Sequence, residues 1–227
     1  MLKPELITTE DGSHSLYVPQ LKETYHSFHG ALQESQHVFI QKGLSDYSLV
    51  HQPNHIELLE VGFGTGLNAL LTASWAVKNK IQIEMTSLEA YPLEQELALK
   101  LNYPKLVNDE NGAAWFQLIH ETEWDHSVRI NPFFSLNKRN EKLQDVELPS
   151  LEFDIVFFDA FAPNKQPELW DKTILEKIYS AQNSEAYFVT YCAKGQLKRD
   201  LKELGFKVDT LDGPPGKKEM VRAVKPR

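Results

Sequence analysis

Glu60, Gly62, Gly64, Gly66 and Asn68 fall together in the run Glu60-Val61-Gly62-Phe63-Gly64-Thr65-Gly66-Leu67-Asn68. The apolar stretch ahead of it reads as a strand and the stretch after it as a helix. Alternating glycines let the backbone come close to a ligand and take conformations that a Cβ forbids. The helix that follows points its first amides at whatever fills the turn. The run is thus a seat for a nucleotide-like or anionic cofactor. Its spacing is G-x-G-x-G behind an acid, not the G-x-G-x-x-G of dinucleotide sites. Glu89 closes the next apolar run, 23 residues after Gly66. An acid at about that distance accepts hydrogen bonds from ribose hydroxyls. Asp159 closes a third run, in Phe157-Phe158-Asp159-Ala160-Phe161-Ala162-Pro163. Such apolar neighbours leave a carboxylate desolvated or paired. It suits a cationic or amine substrate, holding the ammonium and then helping to remove its proton so that the lone pair attacks. Phe161 and Pro163 would shape an apolar slot for a planar group.

Other candidates carry less. Tyr25-His26-Ser27-Phe28-His29-Gly30 precedes an N-terminal helix and either reaches over the cofactor or forms an ordinary polar loop. Asn68 either reaches the cofactor or caps its helix. His26 and His29, and His51 and His55, have spacings seen in metal sites, but neither pair has a Cys or acidic companion and Pro53 breaks the second. No metal is expected. The single cysteine, Cys192, excludes an internal disulfide and reads as a small buried hydrophobe rather than a nucleophile.

The elements that must position these residues alternate. Strands are expected at Ile56–Val61, Ile81–Glu89, Ser127–Leu136, Phe153–Asp159, Ala186–Tyr191, Phe206–Leu211 and Glu219–Val224, with helices at Asn68–Lys78, Leu93–Leu101, Asn111–Ile119, Pro167–Ile178 and Lys194–Leu204. That order predicts an α/β fold with a mostly parallel seven-stranded sheet. The short link between the last two strands makes the C-terminal strand antiparallel. Residues 1–55 read as an extension that packs on the core, a hairpin with its turn at Glu10-Asp11-Gly12 followed by a helix from Gly30 to Gly43, and residues 56–227 as the main domain.

With 227 residues the chain can bury a real core. No apolar run approaches a membrane span, and Met1-Leu2-Lys3-Pro4-Glu5 has no apolar signal region, so a cytoplasmic protein is expected. The net charge of −8 argues against a general nucleic-acid binder. From Thr190 onward, however, ten Lys/Arg stand against five Asp/Glu. That basic end is either a face for phosphates or a solvated helix and tail.

The acid-led glycine turn resembles motif I of S-adenosylmethionine (SAM) methyltransferases, and the expected sheet resembles their Rossmann-like fold. Taken with Tyr25-His26-Ser27…Gly30-Ala31…Glu34-Ser35, Asp159-Ala160-Phe161-Ala162-Pro163…Pro167-Glu168-Leu169-Trp170, Tyr191-Cys192-Ala193-Lys194-Gly195 and Gly213…Gly216-Lys217-Lys218-Glu219-Met220, it resembles one family across nearly the whole chain. This is the SAM-dependent tRNA 5-aminomethyl-2-thiouridine methyltransferase family, found as the methyltransferase half of MnmC and as stand-alone MnmD. The resemblance implies SAM binding by Glu60, Gly62, Gly64, Gly66, Asn68 and Glu89. It implies an acid near the adenine, Glu141 or Asp145, of which Asp145 is the assignment adopted. It implies Asp159 as the catalytic residue facing the methyl donor and the aminomethyl group. Tyr25, Ser27, Phe161, Lys217 and Lys218 would meet the substrate, the lysines through anticodon-arm phosphates of a tRNA. The product would be 5-methylaminomethyl-2-thiouridine at the wobble position. With no second dinucleotide fingerprint, the chain is expected to lack the flavin oxidoreductase domain and to depend on a separate enzyme for the aminomethyl uridine. A SAM-fold transferase acting on a small amine or polyamine, and a non-catalytic SAM-fold subunit, are the competing readings.

Overall fold

Apolar residues alternate along the central strands of the computed structural model, which describes residues 3–227, and they build a core on each face of one sheet. The strands are β1 (Glu5–Thr8), β2 (His14–Val18), β3 (Glu23–Thr24), β4 (His55–Val61), β5 (Gln82–Leu88), β6 (Ser127–Asn131), β7 (Phe134–Arg139), β8 (Phe153–Phe158), β9 (Gln182–Thr190), β10 (Lys207–Asp212) and β11 (Glu219–Val224). The helices are α1 (Ala31–Ser35), α2 (Asp46–His51), α3 (Leu67–Asn79), α4 (Gln95–Ala98), α5 (Tyr103–Leu106), α6 (Gly112–Glu121), α7 (Lys172–Ala181) and α8 (Gly195–Glu203). Leu58, Ile155, Phe157 and Val189 face the core shared with α3, α6 and the N-terminal helices. Their neighbours Leu59, Val156, Phe158 and Phe188 face the core shared with α7 and α8. Period-two alternation of this kind fixes the register, because a slip of one residue would exchange the two faces.

The main sheet has the order β10-β11-β9-β8-β4-β5-β7-β6. Strands β4, β5, β7, β8 and β9 are mutually parallel, and β11 runs antiparallel between β9 and β10. The expected mostly parallel sheet with an antiparallel C-terminal strand is therefore present. It has eight strands rather than seven, because Ser127–Leu136 is not one strand but a hairpin of β6 and β7. Pro132 cannot donate to a ladder, and Asn131 Oδ1 accepts the Phe133 N–H at 2.9 Å to make the turn. The Pro167–Ile178 helix also divides, into a 3₁₀ turn at Pro167–Leu169 and α7.

The extension forms a small antiparallel sheet, β1-β2-β3, followed by helix; Met1 and Leu2 lie outside the described residues. The helix does not stop at Gly43. It runs from α1 through a π-helical segment, Gln36–Ser45, into α2. Gly43 lies where an added Cβ would meet the Phe157 ring at 3.0 Å, so it marks a close helix–sheet approach and not a helix end. Leu16, Val38, Phe39, Ile40 and Leu44 of the extension are buried in the same core as β4 and β8.

Candidate active site

The parallel strands deliver their C-terminal ends to one edge, where ligands of open α/β sheets bind. There the β4 turn is pinned to the end of β5: the Gly62 and Phe63 N–H groups both donate to the Leu88 carbonyl, at 3.0 and 3.1 Å. Gly62 has φ +94°, and a Cβ on it would stand 2.6 Å from the Asp159 carbonyl oxygen. The turn and the end of β8 approach this closely only because no side chain intervenes. Gly64, with φ +51°, donates its N–H to Glu89 Oε2 at 2.9 Å, and a Cβ there would press on the Tyr25 ring at 3.1 Å. Gly66 is the residue ahead of α3.

Three carboxylates gather around this turn. Glu60 is fully buried below it and accepts a hydrogen bond from Ser87 Oγ, while its Oε1 has no partner among the described residues. Burial pushes its carboxyl up to about 8, the Ser87 bond opposing and the Asp159 charge adding to the rise. Asp159 is pushed up to about 7, first by burial and then by the negative Glu34, with Asn68 and Lys217 opposing. Glu89 is also raised by burial, against the N–H groups of Gly64, Tyr91 and Ala90 that favour its ionised form. Asn68, in the first turn of α3, donates Nδ2 to Asp159 Oδ2 at 2.9 Å, and its buried Oδ1 has no partner among the described residues.

A cavity of about 910 Å³ opens over these groups, with Gly62, Gly64, Asn68, Glu89, Asp145 and Asp159 in its wall. That volume lies in the range of cofactor and small-molecule sites. The extension roofs it. Tyr25 meets Phe161 edge to face at 5.2 Å. Lys165 donates to the Leu21 carbonyl at 2.7 Å and so ties the Gln20–Lys22 loop to the segment after β8. Trp170 Nε1 fixes that segment from below by donating to the Phe161 carbonyl at 2.8 Å.

The residues expected from sequence do not all converge. Glu60 and Gly66 support the turn from outside the cavity wall. Asp145 and Glu141 both reach the wall on the loop after β7, but Glu141 is engaged by Arg139 at 2.5 Å, whereas Asp145 is exposed. Ser27 lies off the cavity, its N–H donating to Glu34 Oε2 at 2.7 Å. Lys217 is paired with the buried Glu34, and Lys218 is exposed nearby. Of the ten basic residues after Thr190, Lys198, Lys217, Arg222 and Arg227 are in ion pairs, and Lys225 donates to the Tyr179 and Gln182 carbonyls. Half of the basic end is thus engaged within the fold; Lys194 and Lys218 remain exposed at the cavity edge of the sheet. The histidines of each sequence pair have separate partners: His26 lies near Ser15, His29 on Glu10, His51 on Tyr47 and His55 on Glu57. Cys192 is buried. Glu34, Lys165 and Tyr191 escaped the sequence reading as site residues. Their partners lie 31 to 183 positions away in the chain, and only the fold brings them together.

A cofactor that carries both an ammonium and a sulfonium fits this seat. The side-chain-free turn leaves room for it, Glu89 and Asn68 lie in the cavity wall, and Asn68 Oδ1 is a buried acceptor without a partner among the described residues, with a second, Glu60 Oε1, beneath the turn. Comparison with known proteins agrees. Residues 120–226 match the model of a family described as S-adenosyl-L-methionine-dependent methyltransferase. The chain is 30% identical, over 95% of its length, to the tRNA 5-methylaminomethyl-2-thiouridine biosynthesis bifunctional protein MnmC of Burkholderia mallei (strain SAVP1) and to that of Burkholderia pseudomallei (strain K96243). It spans 34% of the length of each. The crystal structure of MnmC2 from Aquifex aeolicus superposes with a TM-score of 0.77 at 27% identity, covering 100% of this chain and 73% of that one. With the glycine turn, the acids around it and the sheet order all in place, this chain is an S-adenosyl-L-methionine-dependent methyltransferase, similar along its length to MnmC2 and to the matching part of MnmC.

Proposed function

We propose that this methyltransferase acts on tRNA, methylating the exocyclic amine of 5-aminomethyl-(2-thio)uridine at the wobble position to give 5-methylaminomethyl-2-thiouridine. The observation that carries the reading is Asp159: a desolvated carboxylate at the end of β8, in the wall of the cavity and 2.9 Å from Asn68. The names of the MnmC relatives supply the class of substrate.

When bound, SAM supplies an electrophilic methyl group. The chain's own residues do the rest. Gly62, Gly64, Gly66, Asn68, Glu60 and Glu89 shape its seat, with Asp145 at the rim. Asp159 holds the substrate ammonium and takes or steers its proton, since only the neutral amine has a lone pair to donate. A carboxylate held near pH 7 is matched to that task. Phe161 and Tyr25 make an aromatic wall for a splayed base, the usual way in which single-stranded RNA is read. Lys218, with Lys194, meets phosphates at the rim. Lys217, paired with Glu34, reaches the substrate less directly. Residues 1–55 act as an extension that roofs the site of the 56–227 domain. A cytoplasmic setting, with the aminomethyl uridine supplied by another activity, fits this reading; among the described residues no helix is long and apolar enough to cross a membrane.

The engagement of half the basic end in internal pairs favours a second reading, a transferase for small amines or polyamines. One experiment separates them. Labelled SAM is incubated with tRNA carrying aminomethyl uridine and, separately, with free diamines. Label recovered in 5-methylaminomethyl-2-thiouridine supports the tRNA reading, and label in diamine alone replaces it.

A further inference from the structure

Two distant segments meet beside Asp159. Glu34, in α1, is buried, and it accepts the Ser27 N–H at 2.7 Å on one oxygen and the Lys217 ammonium on the other. Lys217 comes from the loop between β10 and β11, and its Nζ sits 3.8 Å above the centre of the Tyr191 ring. Tyr191, just past β9, donates its hydroxyl to the Ala160 carbonyl at 2.8 Å, one residue after Asp159. The cation is thus held between a carboxylate and an aromatic face, each of which stabilises it. Asp159 is a second carboxylate on which this cation acts, and burial strengthens any such pairing.

We propose that Glu34 is a positioning residue for methyl transfer: by holding the Lys217 ammonium against Tyr191 it keeps that cation from pairing with Asp159, and so leaves the Asp159 carboxylate to the substrate's ammonium. The inference rests on the assignment of Asp159 as the group that meets the amine. Without Glu34 the site would contain its own competitor for Asp159, a tethered lysine at high local concentration. Asn68 of α3 is hydrogen-bonded to Asp159, and the titratable groups electrostatically coupled to it are Glu34 from α1, Lys217 from the β10–β11 loop, Glu60 from β4, Tyr103 from α5 and Tyr191 after β9. Glu34 and Lys217 also face the buried His26, on which they act with opposite sign. At Asp159 too they oppose each other, Glu34 raising its pKa and Lys217 lowering it.

The test is a cycle of Glu34→Gln, Lys217→Met and the double variant, with Glu34→Asp as the charge-conserving control. Asp159 is titrated in each by the NMR shift of ¹³C-labelled aspartate carboxyls, assigned with Asp159→Asn. The acid limb of the kcat/KM profile is followed in parallel. Glu34→Gln should lower the Asp159 midpoint by about one pH unit and cut kcat about tenfold. Lys217→Met should raise the midpoint. The double variant should restore both the midpoint and most of kcat, and Glu34→Asp should stay close to the parent. A midpoint that does not move in either single variant overturns the inference, as does a double variant no better than Glu34→Gln. Thermal unfolding and SAM affinity confirm that the variants are folded. If the midpoints move as stated while the parent enzyme methylates no aminomethyl uridine, the positioning role stands and the substrate assignment falls.

Discussion

Asn68 Nδ2 lies 2.9 Å from Asp159 Oδ2, joining the first turn of α3 to the end of β8 across the glycine turn. The amide thereby couples the element that follows the glycine turn to the carboxylate proposed to meet the substrate amine. Asp159→Asn should retain SAM affinity and lose turnover by roughly 10²–10⁴-fold, the range attributed to a positioned acid–base group. Asn68→Ala should lose less, about tenfold, because Asp159 keeps its charge but not its orientation. Calorimetric SAM binding beside single-turnover methyl transfer would check both. Unchanged turnover in Asp159→Asn would remove its assigned role.

Gly62 and Gly12 both have positive φ, yet their surroundings differ. A Cβ on Gly62 would stand 2.6 Å from the Asp159 carbonyl, whereas one on Gly12 meets nothing within 4 Å. Gly12→Ala should therefore cost only its backbone strain, about 1 kcal/mol. Gly62→Ala must also push β4 and β8 apart, and should cost about 2–4 kcal/mol together with SAM affinity. Denaturant unfolding of the two variants decides the matter; equal losses would mean that strain alone sets both.

The sheet and its ligand edge were legible because apolar alternation and glycine spacing are local signals. The β6–β7 hairpin is missed by the sequence reading because apolar residues run on both sides of Asn131-Pro132, and that short pair is the whole of the turn signal. The outline of the site was legible in the same way: Gly62, Gly64, Glu89 and Asp159 each stand at the end of a strand that can be read from the chain. The roof was not. Lys165 reaches a carbonyl 144 residues away and Lys217 a carboxylate 183 residues away, and no periodicity encodes such meetings. The basic end misled for a related reason, since composition counts charges without showing which of them are paired.

Glu60 gives the SAM-free protein a pH dependence of known sign. Its carboxyl rises from 4.5 to about 8 on folding, chiefly through burial. A raised carboxylate favours the folded state below the unfolded value, and that contribution is lost as pH climbs from about 4.5 through about 8. Asp159, raised from 3.8 to about 7, acts in an overlapping window. Glu60→Gln keeps an acceptor for Ser87 and cannot ionise. It should flatten the fall in unfolding free energy between pH 5 and pH 8 by an amount on the order of a few kcal/mol, leaving the part due to Asp159. Urea titrations across that range supply the test. An identical slope in parent and variant would show that Glu60 titrates near its ordinary value.

Lys165 is the tie between the segment after β8 and the Gln20–Lys22 loop. Its Nζ donates to Leu21 O at 2.7 Å and to Lys22 O at 3.3 Å, with Glu23 3.9 Å away. Hydrogen bonds from a charged donor contribute roughly 1.5–3 kcal/mol when little water competes. Lys22 is held at φ +50°, a conformation a free loop would leave. Lys165→Met keeps most of the stem's packing and removes the donor. The loop should then open more often, so amide exchange at residues 20–24 should quicken about tenfold or more while that of β4 and β8 stays unchanged. SAM should also dissociate faster, because Gln20 and Leu21 line the same cavity. Exchange confined to its parent rate, with SAM release unaltered, would mean that Tyr25 against Phe161 holds the roof without this lysine.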